Sequence, residues 1–310
     1  MSTSDYMPEG PRARQGTLPE PELESLLGEM RRGTPWQEAL ERLQLPTLSG
    51  KRHWFTDLAK AQFYLGLPTP GHYRALDVGA GSGVIAAGMA AGGYQHVVAL
   101  EHDAGWCEFM RRRYAEDRVG PVEVVQGSAV PTFPFDEASF DLVVVNGVLE
   151  WVPEAAPGTP PGRVQLEFLR EARRILRPGG AIGIGIENRL FLGNLKGYGP
   201  HGEPPFAVLM PRRLADLYTR RRRGLPYRTW IYSWWGYRSL LRKAGFHDVR
   251  VMAVLPDYHT PRRVVPVSDS AAAREGFHVT RASRRLALKA LAGAGVLGYL
   301  THSFYIEAHA

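Results

Sequence analysis

Residues 73–103 constrain the chain more than any other stretch. They read Tyr-Arg-Ala-Leu-Asp-Val-Gly-Ala-Gly-Ser-Gly, then a run of small apolar residues, then Val-Val-Ala-Leu-Glu-His-Asp. Continuous apolar segments of this length read as strands buried on both faces. The first ends in Asp77, the backbone turns through Gly79, Gly81 and Gly83, and the second ends in Glu101. Strand, glycine turn, helix, strand is a nucleotide-binding βαβ unit. Glycine permits positive φ and lets a ligand approach backbone N–H groups with no Cβ in the way. The ligand then lies beyond the carboxyl ends of the strands, where an acid closing the second strand can accept from both hydroxyls of a ribose. Glu101 stands in that position.

Two ligand classes compete for such a turn. Gly81-Ser82-Gly83-Val84-Ile85-Ala86 satisfies G-x-G-x-x-G/A, so a dinucleotide is formally allowed, but one match of this kind has little specificity. Asp77 decides against it: a carboxylate repels a pyrophosphate and attracts the cationic amino-acid end of S-adenosylmethionine. The string Leu76-Asp77-Val78-Gly79-Ala80-Gly81-Ser82-Gly83 resembles motif I of the class I S-adenosylmethionine-dependent methyltransferases. Further strings resemble the same family in order: Phe140-Asp141-Leu142-Val143-Val144-Val145-Asn146-Gly147, and Leu176-Arg177-Pro178-Gly179-Gly180 before an apolar run. The resemblance implies S-adenosylmethionine as cofactor, held by Asp77, Gly79, Ala80, Gly81, Gly83, Glu101, His102, Ser128, Ala129, Asn146 and Gly147. Ser128 stands where many relatives carry an aspartate that accepts from the adenine amino group, and a hydroxyl accepts more weakly. Asn146-Gly147-Val148-Leu149 replaces the Asn/Asp-Pro-Pro-Tyr/Phe of enzymes that methylate nucleobase or glutamine nitrogens, which disfavours that substrate class.

Beyond residue 187 the resemblance narrows. Ile186-Glu187-Asn188-Arg189-Leu190, the segment 233–246 and Leu255-Pro256-Asp257-Tyr258 look like a bacterial subgroup found beside, or fused to, glycosyltransferases of surface-polysaccharide pathways. That likeness implies an O-methyltransferase acting on a sugar, a glycan or another small polar metabolite. The loop 193–205 departs from the subgroup's pattern where substrate contacts are expected.

The expected fold is α/β, a Rossmann-like doubly wound seven-stranded sheet with the last strand antiparallel and an N-terminal helical extension. Residues 1–20 read as a disordered tail. Residues 21–70 read as a helical extension or lid, with helical patterns over 20–45 and a third helix over 53–65. Residues 71–310 form the methyltransferase domain, with substrate-side insertions at 188–232 and 259–302. Helices are expected at 104–117, 162–176, 211–223 and 236–244, and the fifth strand at 181–186.

Composition removes several function classes. A single cysteine, Cys107, excludes an intrachain disulfide framework and a multi-cysteine metal cluster. The net charge of +7 is concentrated at 111–113, 173–174 and 220–223, each on an expected helix, where a solvated face is the usual meaning. No aromatic-interleaved basic stripe accompanies them, so nucleic acid is disfavoured as a partner. The longest apolar run, 286–300, is interrupted by Lys289 and falls short of the ~18 residues of a membrane span. The expected setting is cytoplasmic, without a membrane partner.

Methyl transfer from a sulfonium requires an acceptor lone pair aligned behind an already activated methyl group. No His-x-Glu, clustered-carboxylate or cysteine pattern in the sequence points to a metal. For a hydroxyl acceptor a base can take the released proton, and the candidates lie after the fourth and fifth strands: His201, Glu187 and Glu150, with His259 behind them. Tyr237 and Trp234 are candidates for a substrate pocket. Two other readings remain open: a methyltransferase acting on RNA or protein, prompted by the 220–223 cluster, and a catalytically silent binding subunit, prompted by Ser128 and the absence of an obvious base.

Overall fold

The structure, a computed structural model, describes residues 18–49, 52–69, 71–277 and 282–310, with the side chains of 282–284 left aside. Nearly all of the expected tail, 1–17, lies outside the described residues.

Eight strands form one sheet: β1 (Arg74–Val78), β2 (His96–Glu101), β3 (Val122–Gln126), β4 (Phe140–Asn146), β5 (Leu176–Glu187), β6 (His247–Leu255), β7 (Arg263–Pro266) and β8 (Ser303–His309). Their order is β3-β2-β1-β4-β5-β8-β6-β7. β1 to β5 are parallel, β8 runs antiparallel between β5 and β6, and β7 pairs antiparallel with β6 at the edge. The doubly wound expectation holds, with an eighth strand added. β7 has four residues and ends in Pro266, which lacks an N–H for a further ladder and belongs at an edge. A strand so short gives no alternating signal.

The helices follow in chain order: α1 (Glu20–Arg31), α2 (Trp36–Leu43), α3 (His53–Thr56), α4 (Gln62–Leu65), α5 (Val84–Ala91), α6 (Ala104–Glu116), α7 (Pro161–Ile175), α8 (Arg212–Arg223), α9 (Trp234–Ala244), α10 (Ser270–Ala273) and α11 (Ala282–Gly293). The single helix expected over 53–65 is broken. Asp57 leaves the helical conformation and its carboxylate accepts from Ala59 N, starting a separate 3-10 turn over Leu58–Ala61. That turn sits tightly on α5: a Cβ at Gly88 would come within 2.5 Å of Ala61 Cβ. α1 and α2 pack against α6 through Leu26, Leu27, Trp36, Trp106 and Phe109. Residues 53–65 reach the sheet itself, with Tyr64 over Gly183 and Gly185 of β5.

β5 starts earlier than expected, at Leu176 rather than 181. The register between β4 and β5 shifts between Phe140 and Leu142, and Gly179 takes φ +76°. Asp141 anchors this end of the sheet. Its carboxylate accepts from Tyr73 N, Arg74 N and Arg177 Nη1. β4 is buried from Phe140 to Val145, which places the next residues, Asn146 to Glu150, at the carboxyl edge between β1 and β5. Strand order reverses at β1 and β4, the crevice where open α/β sheets bind ligands.

Candidate active site

The glycine turn after β1 is tied down from two sides. Gly79 N and Ala80 N both donate to Leu100 O of β2. From α6, Tyr114 Oη donates to Gly83 O and Arg113 Nη1 to Ser82 O. Gly83 N-caps α5 at φ +75°, and a Cβ there would stand 2.0 Å from Tyr114 Oη. Gly81, at φ +52°, is different: a Cβ built there would meet nothing nearer than the Gly79 carbonyl oxygen at 4.0 Å, so that face of its backbone is open. A loop with one glycine locked underneath and another open above suits a ligand lying on the backbone.

Glu101 closes β2 beside that loop. Its carboxylate accepts from Gly81 N at 3.0 Å, His102 N at 2.8 Å and Asp103 N at 3.1 Å, with His102 Nδ1 at 2.7 Å. Burial acts to raise its pKa, but these donors hold it below the ordinary carboxylate range. Asp77 is fully enclosed, and Oδ2 accepts from Ala86 N in the first turn of α5 at 3.1 Å. Burial, reinforced by the charge of Glu101, pushes its pKa up to about 7. A cation placed near it would restore the ionised form.

The far end of the crevice departs from expectation in one respect. Ser128 is exposed, and its hydroxyl donates to Val130 O and accepts from Val130 N, a local turn that occupies it. It offers an adenine less than a free hydroxyl would. Ala129 follows it, half-buried. At the near end Asn146 Oδ1 accepts from Tyr64 Oη at 2.6 Å, and Gly147, at φ +68°, lies against the ring of Tyr258.

Glu150, Glu187 and His201 are distant in sequence and come together. Glu187 is the last residue of β5, Glu150 lies in the turn after β4, and His201 belongs to the loop that follows β5. Arg189 clamps the return of that loop by donating to the carbonyls of Val208, Leu209 and Met210. His201 Nε2 lies 3.1 Å from Glu187 Oε1 and 3.8 Å from Glu150 Oε1. All three are buried. Burial alone would favour a neutral His201, yet the facing Glu187 raises its pKa; burial alone would raise Glu187, yet His201 pulls it well below the ordinary range. Burial, with the Glu187 charge added, raises Glu150 to about 8. Burial and the mutual charges thus pull the three groups in different directions within one enclosed cluster.

Tyr258 and Trp151, absent from the expected site, complete the cluster. Tyr258 Oη donates to Glu187 Oε1 at 3.0 Å, and the Trp151 ring meets His201 edge-on at 4.8 Å. Tyr237 is buried and donates to Glu187 O, so it positions the cluster and lines no open pocket. His259 stacks on Trp54 of α3 at 4.9 Å, and burial pushes its pKa down to about 4. Trp234 lines, with Trp235, Arg238, Arg242 and Lys243, a surface groove of about 450 Å³ along α9.

Against known proteins, residues 76–184 match the family model described as a methyltransferase domain. A demethylmenaquinone methyltransferase of Clavibacter sepedonicus is 40% identical over 109 residues, covering 35% of this chain. The match spans 39% of that relative's length. Among solved structures, a methyltransferase of Haloferax volcanii in complex with the Trm112 methyltransferase activator aligns over 95% of this chain and 99% of its own. The TM-score is 0.50 at 13% identity, a likeness of fold. An S-adenosylmethionine-dependent methyltransferase of Thermotoga maritima aligns over 84% and 93%, at 18% identity and a TM-score of 0.49. The matched segment contains most of β1, the glycine turn, Glu101 and β4, so the crevice lies beside it. Among the described residues no helix is long and apolar enough to cross a membrane.

Proposed function

We propose that this chain binds S-adenosylmethionine in the β1/β4 crevice and transfers its methyl group to a hydroxyl of a small polar acceptor. The arrangement of Asp77, the open Gly81 backbone and Glu101 at a topological switch point carries the reading. Glu101 takes the ribose hydroxyls, Gly79 to Gly83 carry the sulfonium end on bare backbone, and Asp77 compensates the ammonium group. Asn146 and Gly147 face the methyl end, with His102, Ala129 and the backbone at Ser128 around the base. The cofactor supplies an activated methyl group; the acceptor oxygen forms the new C–O bond as the S–C bond breaks, and the hydroxyl proton is released.

On the acceptor side we assign the insertion 188–232 as the substrate-recognition segment and residues 53–65 as part of its cover, through Tyr64 and Trp54. His201, Glu187 and Glu150 are enclosed, so a direct proton-accepting role for His201 requires the loop 193–206 to lift. Held down, they position that loop.

A second reading rests on a separate observation. Leu195, Phe206, Leu214 and Leu217 of the insertion are exposed apolar side chains, and the Clavibacter relative's name specifies a menaquinone precursor. Both favour an apolar ring acceptor, methylated on carbon. Incubation with methyl-labelled cofactor and fractionated host metabolites separates the two. Label in the aqueous fraction on a base-stable ether supports the hydroxyl reading, label in the lipid extract supports the second, and no cofactor binding defeats both.

A further inference from the structure

Glu150, Glu187 and His201 bring two carboxyl groups and one imidazole together in an enclosed site. Their ligating atoms all lie within 4.8 Å of one another, and the three residues are 0%, 3% and 3% exposed. Both oxygens of Glu150 and Oε2 of Glu187 are buried without a hydrogen-bond partner. Buried carboxylates are protonated, paired or coordinated to a metal, and one ion facing both carboxylates meets their unpartnered oxygens. We infer that Glu150, Glu187 and Nε2 of His201 bind one divalent first-row transition-metal ion such as Zn²⁺, Mn²⁺ or Fe²⁺.

The donor set fits in charge, spacing and type. Two carboxylates and a neutral imidazole balance a 2+ ion, leaving no net charge in the enclosed site. Bonds of about 2.0–2.2 Å around a tetrahedral centre set ligand atoms about 3.4 Å apart, and the separations from Nε2 are 3.1 and 3.8 Å. An imidazole donor suits these ions better than the all-oxygen shells of Ca²⁺ or Mg²⁺. Tyr258 Oη, already donating to Glu187 Oε1, provides the outer hydrogen bond that orients a ligating carboxylate.

The ion would fasten three elements: the turn after β4, the end of β5 and the loop carrying His201. That joint lies next to Gly147, because the ring of Tyr258 touches both regions. With Nε2 coordinated, His201 is a ligand and not a base. The inference is independent of cofactor binding.

The test uses the full chain purified without a histidine tag. Metal content is measured by mass spectrometry, the protein is stripped with a chelator, and Zn²⁺, Mn²⁺ or Fe²⁺ is added back while thermal unfolding is followed. The expected result is about one ion per chain, an unfolding temperature that falls on stripping and recovers with about one equivalent, and a loss of about tenfold or more in affinity in Glu150→Gln and His201→Gln. Glu123→Gln, on the exposed edge strand β3, keeps wild-type affinity. S-adenosylmethionine binding to the stripped wild type is measured in parallel, so that failure of the metal site and failure of the cofactor reading are told apart. No bound ion and no thermal response to any of the three metals overturns the inference, as does metal binding unchanged in both variants. If the variants fail to fold, stripping and refilling the wild type decides.

Discussion

The glycine turn after β1 and the Glu150–Glu187–His201 cluster occupy the same carboxyl edge of one sheet, yet they are built in opposite ways. The turn is contiguous: Asp77 to Gly83 lie within seven residues, and Glu101 follows after one helix. Its polar groups are paired, and Gly81 leaves backbone open to a ligand. The cluster is assembled from residues 150, 187 and 201, sealed from solvent, and keeps carboxylate oxygens unpaired. The contrast teaches that the glycine turn is a preformed seat, whereas the cluster is a joint holding a loop in place.

The largest expected effect concerns Asp77. Its carboxyl ordinarily ionises near 3.8 and in the folded chain near 7. Between those values the folded state holds a proton that the unfolded state has lost, so stability falls as pH rises from about 4 to about 7 and levels off above, by on the order of 4 kcal/mol. Asp77→Asn removes that slope and is more stable than wild type at pH 8 without cofactor, while binding S-adenosylmethionine more weakly. Urea unfolding at several pH values, with calorimetry at pH 8, checks both. A variant with unchanged slope would mean that Asp77 is not the buried acid.

Next come the two glycines. Gly83→Ala forces a Cβ onto Tyr114 Oη at positive φ and should lose about 3 kcal/mol or more of stability. Gly81→Ala meets no such obstacle and should lose only about 1 kcal/mol from its positive φ, with a far larger loss of cofactor affinity. Thermal unfolding and cofactor titration of the pair sharpen the distinction between a locked and an open glycine. Equal effects on both readouts would erase it.

The smallest effect belongs to the joint. Tyr258→Phe removes one hydrogen bond to a charged carboxylate and should lower stability by about 1.5–3 kcal/mol, leaving cofactor affinity unchanged. Loss of affinity in this variant would show that the two regions are not separable.

The same difference explains what the sequence disclosed. β1, the turn, β2 and β4 were legible because apolar runs and glycine spacing are local signals. The three acids and bases were legible one at a time, as polar residues expected near strand ends, but nothing in their spacing announced that they meet. That depends on the 193–206 loop folding back under the Arg189 clamp. β7 escaped notice through its length, and the break at Asp57 because an apolar helical period continued across it. Tyr64 and Tyr258 were given no place in the site, since a tyrosine hydroxyl gives no hint of its distant partner. Ser128 stood out in the sequence as a weaker acceptor than an aspartate, and in the structure its hydroxyl is turned to Val130.

The measurement closest to the central claim is isothermal calorimetry of S-adenosylmethionine against the wild type and Glu101→Gln. The account predicts one site per chain in the wild type and an affinity about 100-fold lower in the variant, the value of charge-assisted hydrogen bonds to two ribose hydroxyls. Equal affinity in both proteins, or binding of a nicotinamide dinucleotide in place of S-adenosylmethionine, would contradict it.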